Sequence, residues 1–503
     1  MTSSRRIIAR AASSATLALV AGCAVGPDFK APAAPTDAGY STSTDPLPKQ
    51  TVSANVAGGA AQRLVDGQDI PGEWWSLYHS EPLNKLIETA LKANPDLDAA
   101  QAALREAQEN VLAGNGALYP TVTGTFSGSR QKSQLGGFGS SLYSLYNVGP
   151  SLSYTIDIWG ATRRNIESLE AKAEFQRFQL EASYLSLTAN VVTAAITEAS
   201  LRGQIQATEE VIRIETKSLE TVRRQLSLGG VARADYLTQQ STLAATQATL
   251  PPLQKQLAQE RNLIQVYAGR FPNQDAGEQF DLATLVLPED LPVSLPSKLV
   301  EQRPDVQAAE KSLHAASAEI GVALANELPQ LTITANIGLE AAQMAKLFRA
   351  SSEVWGIGAS ATGTLFAGGT LLHTKRAADA AYDQAAAQYR STVLSAFGDV
   401  ANALRALTSD ADALKAELAA ETAAADSLTL ADAQYKAGGI SFLTLLTAQQ
   451  TYQQARIGLV KAQAARYADT AALFQALGGG WWNRSDVAAK DRGAAQQRTD
   501  AAL

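Results

Sequence analysis

Residues that carry chemistry are scarce in this chain of 503 residues. Cys23 is the single cysteine, so no internal disulfide can form. The three histidines, His79, His314 and His373, lie far apart and show none of the spacings typical of a metal site. The sequence also has no nucleophile motif and no glycine loop that would cradle a phosphate. It therefore supports neither an enzyme nor a metalloprotein, and we expect no catalytic and no metal-binding residues.

Excess basic charge and long hydrophobic runs are also lacking. The formal net charge is −7, which excludes the basic footprint typical of a nucleic-acid-binding protein. After residue 23 there is no run of about 18 apolar residues, so the sequence predicts no transmembrane helix in that part of the chain.

The N-terminal residues carry a targeting pattern. Residues 1–22 are typical of a secretory signal peptide, with three arginines followed by an apolar run. The segment Val20-Ala21-Gly22-Cys23 resembles a bacterial lipobox, which implies cleavage before Cys23, a diacylglycerol on its thiol and an N-acyl chain such as palmitate, with no other cofactor. Because Ala24 rather than Asp follows, the resemblance favours the outer membrane of a Gram-negative bacterium. The alternative is a plain signal peptide with an incidental cysteine.

The chain contains an internal duplication with an offset of 209 residues. Asn94-Pro95-Asp96-Leu97 recurs as Arg303-Pro304-Asp305-Val306, and Leu228-Gly229-Gly230-Val231 recurs as Ala437-Gly438-Gly439-Ile440. The unit is too long for a solenoid repeat of about 20 to 50 residues, so we interpret it as a duplicated element of domain size.

Each repeat is predicted to contain a helix, two strands, a long helix and a further helix. The long helices, Ala161–Leu228 and Thr370–Ala437, lack proline, and at 1.5 Å per residue each would be about 100 Å long. Helices of this length need neighbours along their whole course. Their shorter partners are Asp96–Leu118 and Ala232–Ala268 in repeat one, and Asp305–Glu327 and Leu443–Leu477 in repeat two. The resulting division is a signal peptide (1–22), an anchored N-terminal segment (23–75), repeat 1 (76–285), repeat 2 (286–482) and a disordered tail (483–503).

Between the helices, apolar residues alternate with small or polar ones. The pattern is clearest in Asn147–Ile158, where every even position is apolar. Length and alternation suit transmembrane β-strands of about 9–11 residues, although soluble hairpins would also fit the pattern. The other three candidate strands are Thr121–Arg130, Thr332–Leu339 and Trp355–Phe366.

The strand count limits the assembly. The four strands of one chain cannot close a barrel, because the smallest bacterial barrels have about eight strands. Two chains would give an eight-stranded barrel, but side chains would fill its interior. Three chains related by cyclic symmetry give twelve strands and a lumen. We therefore predict an α+β membrane protein, in which a homotrimer forms a 12-stranded transmembrane β-barrel continued by a long periplasmic α-helical barrel.

Five segments spread along nearly the whole chain carry a family resemblance: Cys23–Phe29, Trp74-Trp75, Arg303–Val306, Gly439–Gln449 and Ala476–Trp481. They resemble motifs of the outer membrane factor family, specifically the lipid-anchored, TolC-like channels of RND-type multidrug efflux systems. The resemblance implies a trimeric exit duct in the outer membrane. It would passively export drugs or other toxic small molecules, together with a periplasmic adaptor (a membrane fusion protein) and an inner-membrane transporter.

The paired glycines of each repeat lie between a long and a shorter helix. Glycine readily adopts the positive φ that ends a helix. The resemblance implies that Gly229, Gly230, Gly438 and Gly439 form the hairpin tips that face the adaptor.

The resemblance also implies a pore gate just after the second tip. Leu443 falls on the apolar position of that gate, whereas Thr444 and Thr447 stand where family members carry aspartates, and Gln450 stands where a basic residue is common. Three threonines lack the field of a carboxylate ring. Our hypothesis is a gate closed mainly by Leu443, with less cation preference than charged-ring relatives.

Two other functions stay open at this stage. One is the outer-membrane channel of type I protein secretion, which shares the fold. The other, of a different class, is a periplasm-spanning structural lipoprotein scaffold built from coiled coil. Independently of these two, the alternative to a gate at Leu443 is that this residue simply packs between helices. Amphipathic strands argue against the scaffold, since a scaffold needs no lipid-facing sheet.

Overall fold

A computed structural model describes residues 24–35, 39–41, 44, 46–134, 140–275, 277–293 and 296–487. The predicted signal peptide, Cys23 and residues 488–503 of the predicted tail lie outside the described residues. The chain divides into two compact units, which are described separately. The first unit comprises Met1–Pro32, Ala102–Arg177 and Ala308–Arg390, and the second comprises Ala33–Gln101, Phe178–Gln307 and Ser391–Leu503.

The predicted helices are confirmed, with ends within two residues of the predicted ones. The long helices each contain 67 residues, or about 100 Å at 1.5 Å per residue. In chain order the helices are α1 Glu81–Ala93, α2 Pro95–Gly116, α3 Ala161–Ser227, α4 Arg233–Tyr267, α5 Pro296–Gln302, α6 Pro304–Ala325, α7 Thr370–Lys436 and α8 Phe442–Ala476. The strands are β1 Arg63–Asp66, β2 Thr121–Gln134, β3 Ser140–Ile156, β4 Asp290–Val293, β5 Gln330–Ala341 and β6 Glu353–Thr362. None of the helices within the described residues is both long and apolar enough to cross a membrane.

The first unit contains an antiparallel sheet with the strand order β2-β3-β5-β6. Its register sets apolar positions side by side: Val122 pairs with Leu152, Leu152 with Ala335, and Ala335 with Ile357. Since side chains alternate between faces along a strand, these positions share one face. Several large apolar side chains of this face are exposed, among them Trp355 at 72% and Ile357 at 76%, whereas Leu152 and Ile333 are half-buried. The sheet therefore presents an apolar face that its own chain leaves uncovered.

The opposite face of this sheet is polar. The hydroxyls of Thr123 and Ser151 lie 2.9 Å apart, and those of Thr155 and Thr332 lie 3.1 Å apart. Cross-strand hydroxyl pairs of this kind stabilise a sheet on its non-apolar side. The predicted period of two is thus confirmed, with one apolar and one polar face.

Three strand limits were predicted wrongly. The strand predicted at Thr121–Arg130 extends to Gln134. The strand predicted at Trp355–Phe366 ends at Thr362, whose partner is Gln330. Pro329 precedes Gln330 and has no N–H for a further ladder bond, so the pairing stops there. The strand predicted from Asn147 begins earlier, at Ser140, because it pairs with β2 along the whole hairpin. The serine-rich sequence of that extension resembles a loop.

The core of the second unit is built around aromatic residues. Trp74 and Tyr78 are fully buried, and Trp74 stacks on Phe474 with ring centroids 5.4 Å apart. The phenol of Tyr78 donates to the carbonyl oxygen of Tyr467 at 2.8 Å. Trp481 is also buried, and its indole N–H donates to the carbonyl oxygen of Gln302 at 2.8 Å. These tryptophans are packing residues.

The duplication is visible in equivalent contacts of the second unit. Asn94 Nδ2 donates to the carbonyl oxygen of Tyr267, the last residue of α4, at 3.0 Å. Arg303 Nη1 donates to the carbonyl oxygen of Ala476, the last residue of α8, at 3.1 Å. Both donors and both acceptors are separated by the same 209 residues. Since the last carbonyls of a helix lack intrahelical partners, each repeat uses the same position to satisfy one.

Candidate functional site

The paired glycines end the two long helices in the same way. Gly229 and Gly438 have φ values of 74° and 77°, and each donates its N–H to the carbonyl three residues back. Gly230 and Gly439 each donate to the carbonyl five residues back, at 2.8 Å. These two bonds define a Schellman motif. The predicted hairpin tips are therefore helix ends that need glycine at their first position, and an adaptor-facing role for them stays a prediction.

The helices that follow the two tips start differently. Ser441 caps α8, accepting a hydrogen bond on its hydroxyl from the N–H of Thr444 at 3.3 Å. The equivalent residue before α4, Ala232, has no side-chain acceptor, and there the carboxylate of Asp235 accepts from the N–H of Ala232 at 3.2 Å. Both devices satisfy N–H groups that a helix start leaves free.

The predicted gate residues lie together on the exposed face of the first turns of α8. Leu443, Thr444, Thr447 and Gln450 are all exposed, and Leu443 retains 69% of its accessible surface. Leu443, Thr447 and Gln450 follow the spacing of a single helix face, with Thr444 beside them. Leu443 therefore does not pack into the core of its own chain. The other residues of these turns are buried on the opposite face: Phe442, Leu445, Leu446, Ala448 and Gln449.

The two threonine hydroxyls are engaged within the helix. Thr447 donates to the carbonyl oxygen of Leu443 at 3.0 Å, and the hydroxyls of Thr444 and Ser441 lie 3.0 Å apart. Such local bonds are common for threonine on a helix. The face thus carries an apolar side chain and neutral polar groups, without charge in these turns.

Two tyrosines that the sequence reasoning missed connect the second hairpin to α3. Tyr435 on α7 donates its hydroxyl to Gln225 Oε1 at 2.8 Å, and Tyr452 on α8 donates to Glu210 Oε1 at 3.4 Å. Burial raises the pKa of both phenols, so they remain protonated donors. Their signal in the sequence is an aromatic residue within otherwise alanine-rich or glutamine-rich helices near a tip.

A cavity of about 280 Å³ lies beside these tyrosine contacts, between α3, α7 and α8. Its lining is mixed, with Lys217 and Thr221 from α3, Lys436 from α7 and the buried Gln449 from α8. An ion pair between Lys436 and Asp432 forms part of its wall. The second hairpin is therefore incompletely packed against α3 at this level.

The segment that follows Cys23 is fixed within the first unit. Arg164 Nη2 donates to the Asp28 carboxylate at 2.7 Å, and the ring of Phe29 stacks on His314 with centroids 4.3 Å apart. A Cβ on Gly26 would lie 2.5 Å from the Cα of Gly321, so only glycine permits this approach. The N–H of Val25 donates to the carbonyl oxygen of Trp159, three residues beyond the end of β3, at 2.9 Å. The described chain thus begins close to the end of a strand of the sheet.

Comparison with known proteins identifies the family. Residues 86–270 and 295–479 match the outer membrane efflux protein family, and the two matched segments repeat the offset of 209 residues. The chain belongs to the outer membrane efflux protein family. The predicted recognition and the predicted fold of two tandem repeats are confirmed by this match.

Relatives of this efflux protein cover almost the whole chain. The antibiotic efflux pump outer membrane protein ArpC of Pseudomonas putida is 29% identical over 479 residues, covering 94% of this chain and 96% of the relative. The pyoverdine export outer membrane protein OpmQ of Pseudomonas aeruginosa is 32% identical over 445 residues, covering 85% and 91%. Among solved structures, the outer-membrane channel OprN has a TM-score of 0.81 at 26% identity, covering 91% of this chain and all of OprN. The predicted function as an outer-membrane exit duct of efflux pumps is confirmed at the level of the family.

Proposed function

We propose that this chain is the trimeric exit duct of a tripartite pump that exports drugs or other toxic small molecules. The sheets of three chains would close a 12-stranded barrel in the outer membrane, and the long helices would lie in the periplasm. A periplasmic adaptor would join the duct to an RND-type inner-membrane transporter.

The main support for this proposal is the four-stranded sheet of this chain, which has one apolar and one polar face, together with its membership of the efflux family. Its apolar face suits contact with lipid, and its hydroxyl-rich face suits a water-filled lumen. A single chain leaves side chains of both faces exposed, among them Trp355 on the apolar face and Thr123 on the polar one. Relatives named for export of antibiotics and of pyoverdine favour small-molecule efflux over protein secretion.

The mechanism requires no chemistry in the chain itself. We place the gate at Leu443, where three leucines related by the trimer axis would exclude water from the pore. Opening must then come from partners that bind the open state more tightly than the closed one. The bonds of Tyr435 and Tyr452 to α3 favour the arrangement seen here, and they would have to break if the second hairpin moves.

The gate is tested by single-channel conductance of the purified protein in planar bilayers. Leu443→Ala should give larger or more frequent conductance steps than the native chain, because it removes the apolar constriction. Leu430→Ala is the matched control, since Leu430 is also an exposed leucine but lies on α7. If Leu443→Ala and Leu430→Ala conduct alike, the gate assignment is wrong. Silence of every protein in verified, inserted samples would contradict the duct itself.

The lipid anchor is tested separately. We propose that Cys23 carries diacylglycerol and an N-acyl chain, which would hold the nearby strand ends at the membrane surface. Cys23→Ser should abolish incorporation of labelled palmitate. Incorporation that persists in this variant would contradict the anchor and leave the duct intact.

The exported class is tested in cells. Deletion of the gene should raise sensitivity to several drugs, and expression of the native chain should restore resistance. Loss of a secreted protein without any change in drug sensitivity would instead favour type I secretion.

A further inference from the structure

Helix α8 has one charged side chain on its gate face. Lys461 follows Leu443 by 18 residues, which is five full turns of about 3.6 residues, so the two share a helix face about 27 Å apart. Lys461 is exposed. Within the described part of the chain it has no ion-pair partner.

The rest of this face is uncharged along all of α8. No acidic residue occurs on it, from the gate turns to the end of the helix. We call this set of positions the α8 stripe. It consists of Leu443, Thr447, Gln450, Gln454, Lys461, Ala465, Ala468, Ala472 and Gln475.

The other charged side chains of α8 turn away from the stripe and interact elsewhere. Arg456 Nη1 lies 3.4 Å from the carboxylate of Glu421 on α7. Arg466 is 1% exposed and donates to the carbonyl oxygen of Leu407 at 2.7 Å. Asp469 is half-buried, and its burial together with the nearby Asp410 on α7 raises its pKa to about 7. Among the charged residues of α8, only Lys461 is exposed to solvent and does not interact with α7.

We propose that the α8 stripe lines the lumen and that three Lys461 ammonium groups form a ring that makes this duct prefer anionic cargo. This inference rests on the proposed trimeric duct. Rings of basic side chains select anions in pores, as rings of carboxylates select cations. In the first repeat the equivalent position is Pro252, so a trimer has three such charges rather than six. With threonines at the gate, nothing on the stripe opposes them.

Ion selectivity in planar bilayers tests this inference. Under a potassium chloride gradient, the reversal potential of the native chain should show chloride permeating more readily than potassium. Lys461→Glu should invert the sign of that potential, and Lys461→Gln should bring it towards zero. The effect should be largest near 10 mM salt, where the screening length is about 30 Å, and small near 1 M, where it is about 3 Å.

Two further variants act as controls. Lys415→Glu makes the same change of charge at an exposed position of α7, and it should leave the sign of the reversal potential unchanged. Thr447→Asp adds a carboxylate ring on the stripe and should shift selectivity towards potassium. Cation preference in the native chain, or equal shifts for Lys461→Glu and Lys415→Glu, would overturn the inference while the conducting duct stands. Absence of any channel would instead contradict the proposed function.

Discussion

The two helical hairpins, α3–α4 and α7–α8, have the same turns but differ in the side chains buried between their helices. Both long helices end in a Schellman motif at a Gly-Gly pair. Three buried positions below the first tip are polar, whereas the equivalent positions below the second tip, 209 residues later, are alanines. The polar set is Glu215, Gln239 and Thr246, and the alanine set is Ala424, Ala448 and Ala455.

In the first hairpin the polar side chains connect α3 to α4. Thr246 donates its hydroxyl to Glu215 Oε1 at 3.1 Å, and Gln239 Nε2 donates to the carbonyl oxygen of Glu215 at 3.2 Å. Glu215 Oε2 and Gln239 Oε1 are buried and accept no hydrogen bond from the described residues. The set is therefore only partly satisfied.

In the second hairpin the alanines belong to an apolar cluster that includes Leu428, Phe442 and Leu445. Apolar burial stabilises a contact without fixing its register, whereas buried polar groups can fix a register at some loss of stability. The duplicated chain therefore kept the residues that form the turns, while the packing between its helices diverged.

The largest effect on stability should follow from introducing a carboxyl group into the second hairpin, at the position equivalent to Glu215. Ala424→Glu would bury a carboxyl group without a partner, and we expect a loss of about 3 kcal/mol or more in the free energy of unfolding. Denaturant unfolding of the detergent-solubilised protein measures this loss. Ala423→Glu, at the exposed neighbouring position, should cost little. Equal losses for the two variants would show that the site tolerates charge and that the hairpins do not differ in this respect.

A smaller effect should follow from breaking the polar set. Thr246→Ala leaves both Glu215 oxygens without a donor, which should cost about 1–3 kcal/mol. Replacing all three polar residues by alanine, as in the second hairpin, should recover much of that loss, because no buried polar group then lacks a partner. Thr238→Ala, at an exposed threonine of α4, is the control. A triple variant less stable than Thr246→Ala would contradict this account.

The same contrast explains what could be predicted from the sequence. Long proline-free helices, the Gly-Gly turns and the alternating strands depend on local patterns, and all were predicted. The sheet of β1 with β4 pairs Arg63 with Asp290, and no local pattern indicates a contact across so many residues. From the sequence alone, a glutamate on a helix such as Glu215 is expected to face solvent. Its burial depends on the packing of α4 against α3, which no local pattern indicates. The gate turns were located through the family resemblance, whereas the tyrosine bonds depend on the packing of α3 against the second hairpin.

The turns themselves should respond alike in both hairpins. Gly438→Ala forces a Cβ into the left-handed region, which should cost about 1–2 kcal/mol although no atom lies within 4 Å of that Cβ. Gly439→Ala should be nearly neutral, because that residue has no positive φ. Thermal unfolding of these variants, and of the equivalent changes at Gly229 and Gly230, measures the costs. A cost at Gly438 without a similar cost at Gly229 would mean that the two turns are not equivalent.

The smallest effect concerns pH and isolates the titration of Glu215 in the first hairpin, whose equivalent in the second hairpin is Ala424. Burial raises the pKa of Glu215, and the hydrogen bond from Thr246 offsets this only in part. The unfolded chain releases this proton near pH 4.5, whereas the folded chain retains it to higher pH. Stability from this group is therefore fully present below about pH 4.5 and is lost as pH rises through the folded pKa.

Glu215→Gln removes that titration and keeps a polar group of similar size. The variant should be more stable than the native chain at about pH 8 and equal to it near pH 4. Burial also raises the pKa of Asp469, to about 7, so this residue likewise lowers the stability as pH rises. The native chain and Glu215→Gln both contain Asp469, and its contribution cancels when their stabilities are compared. A difference that is independent of pH would mean that Glu215 stays charged in the folded chain. The polar set would then hold a buried carboxylate with one donor, and the first hairpin would be strained at neutral pH.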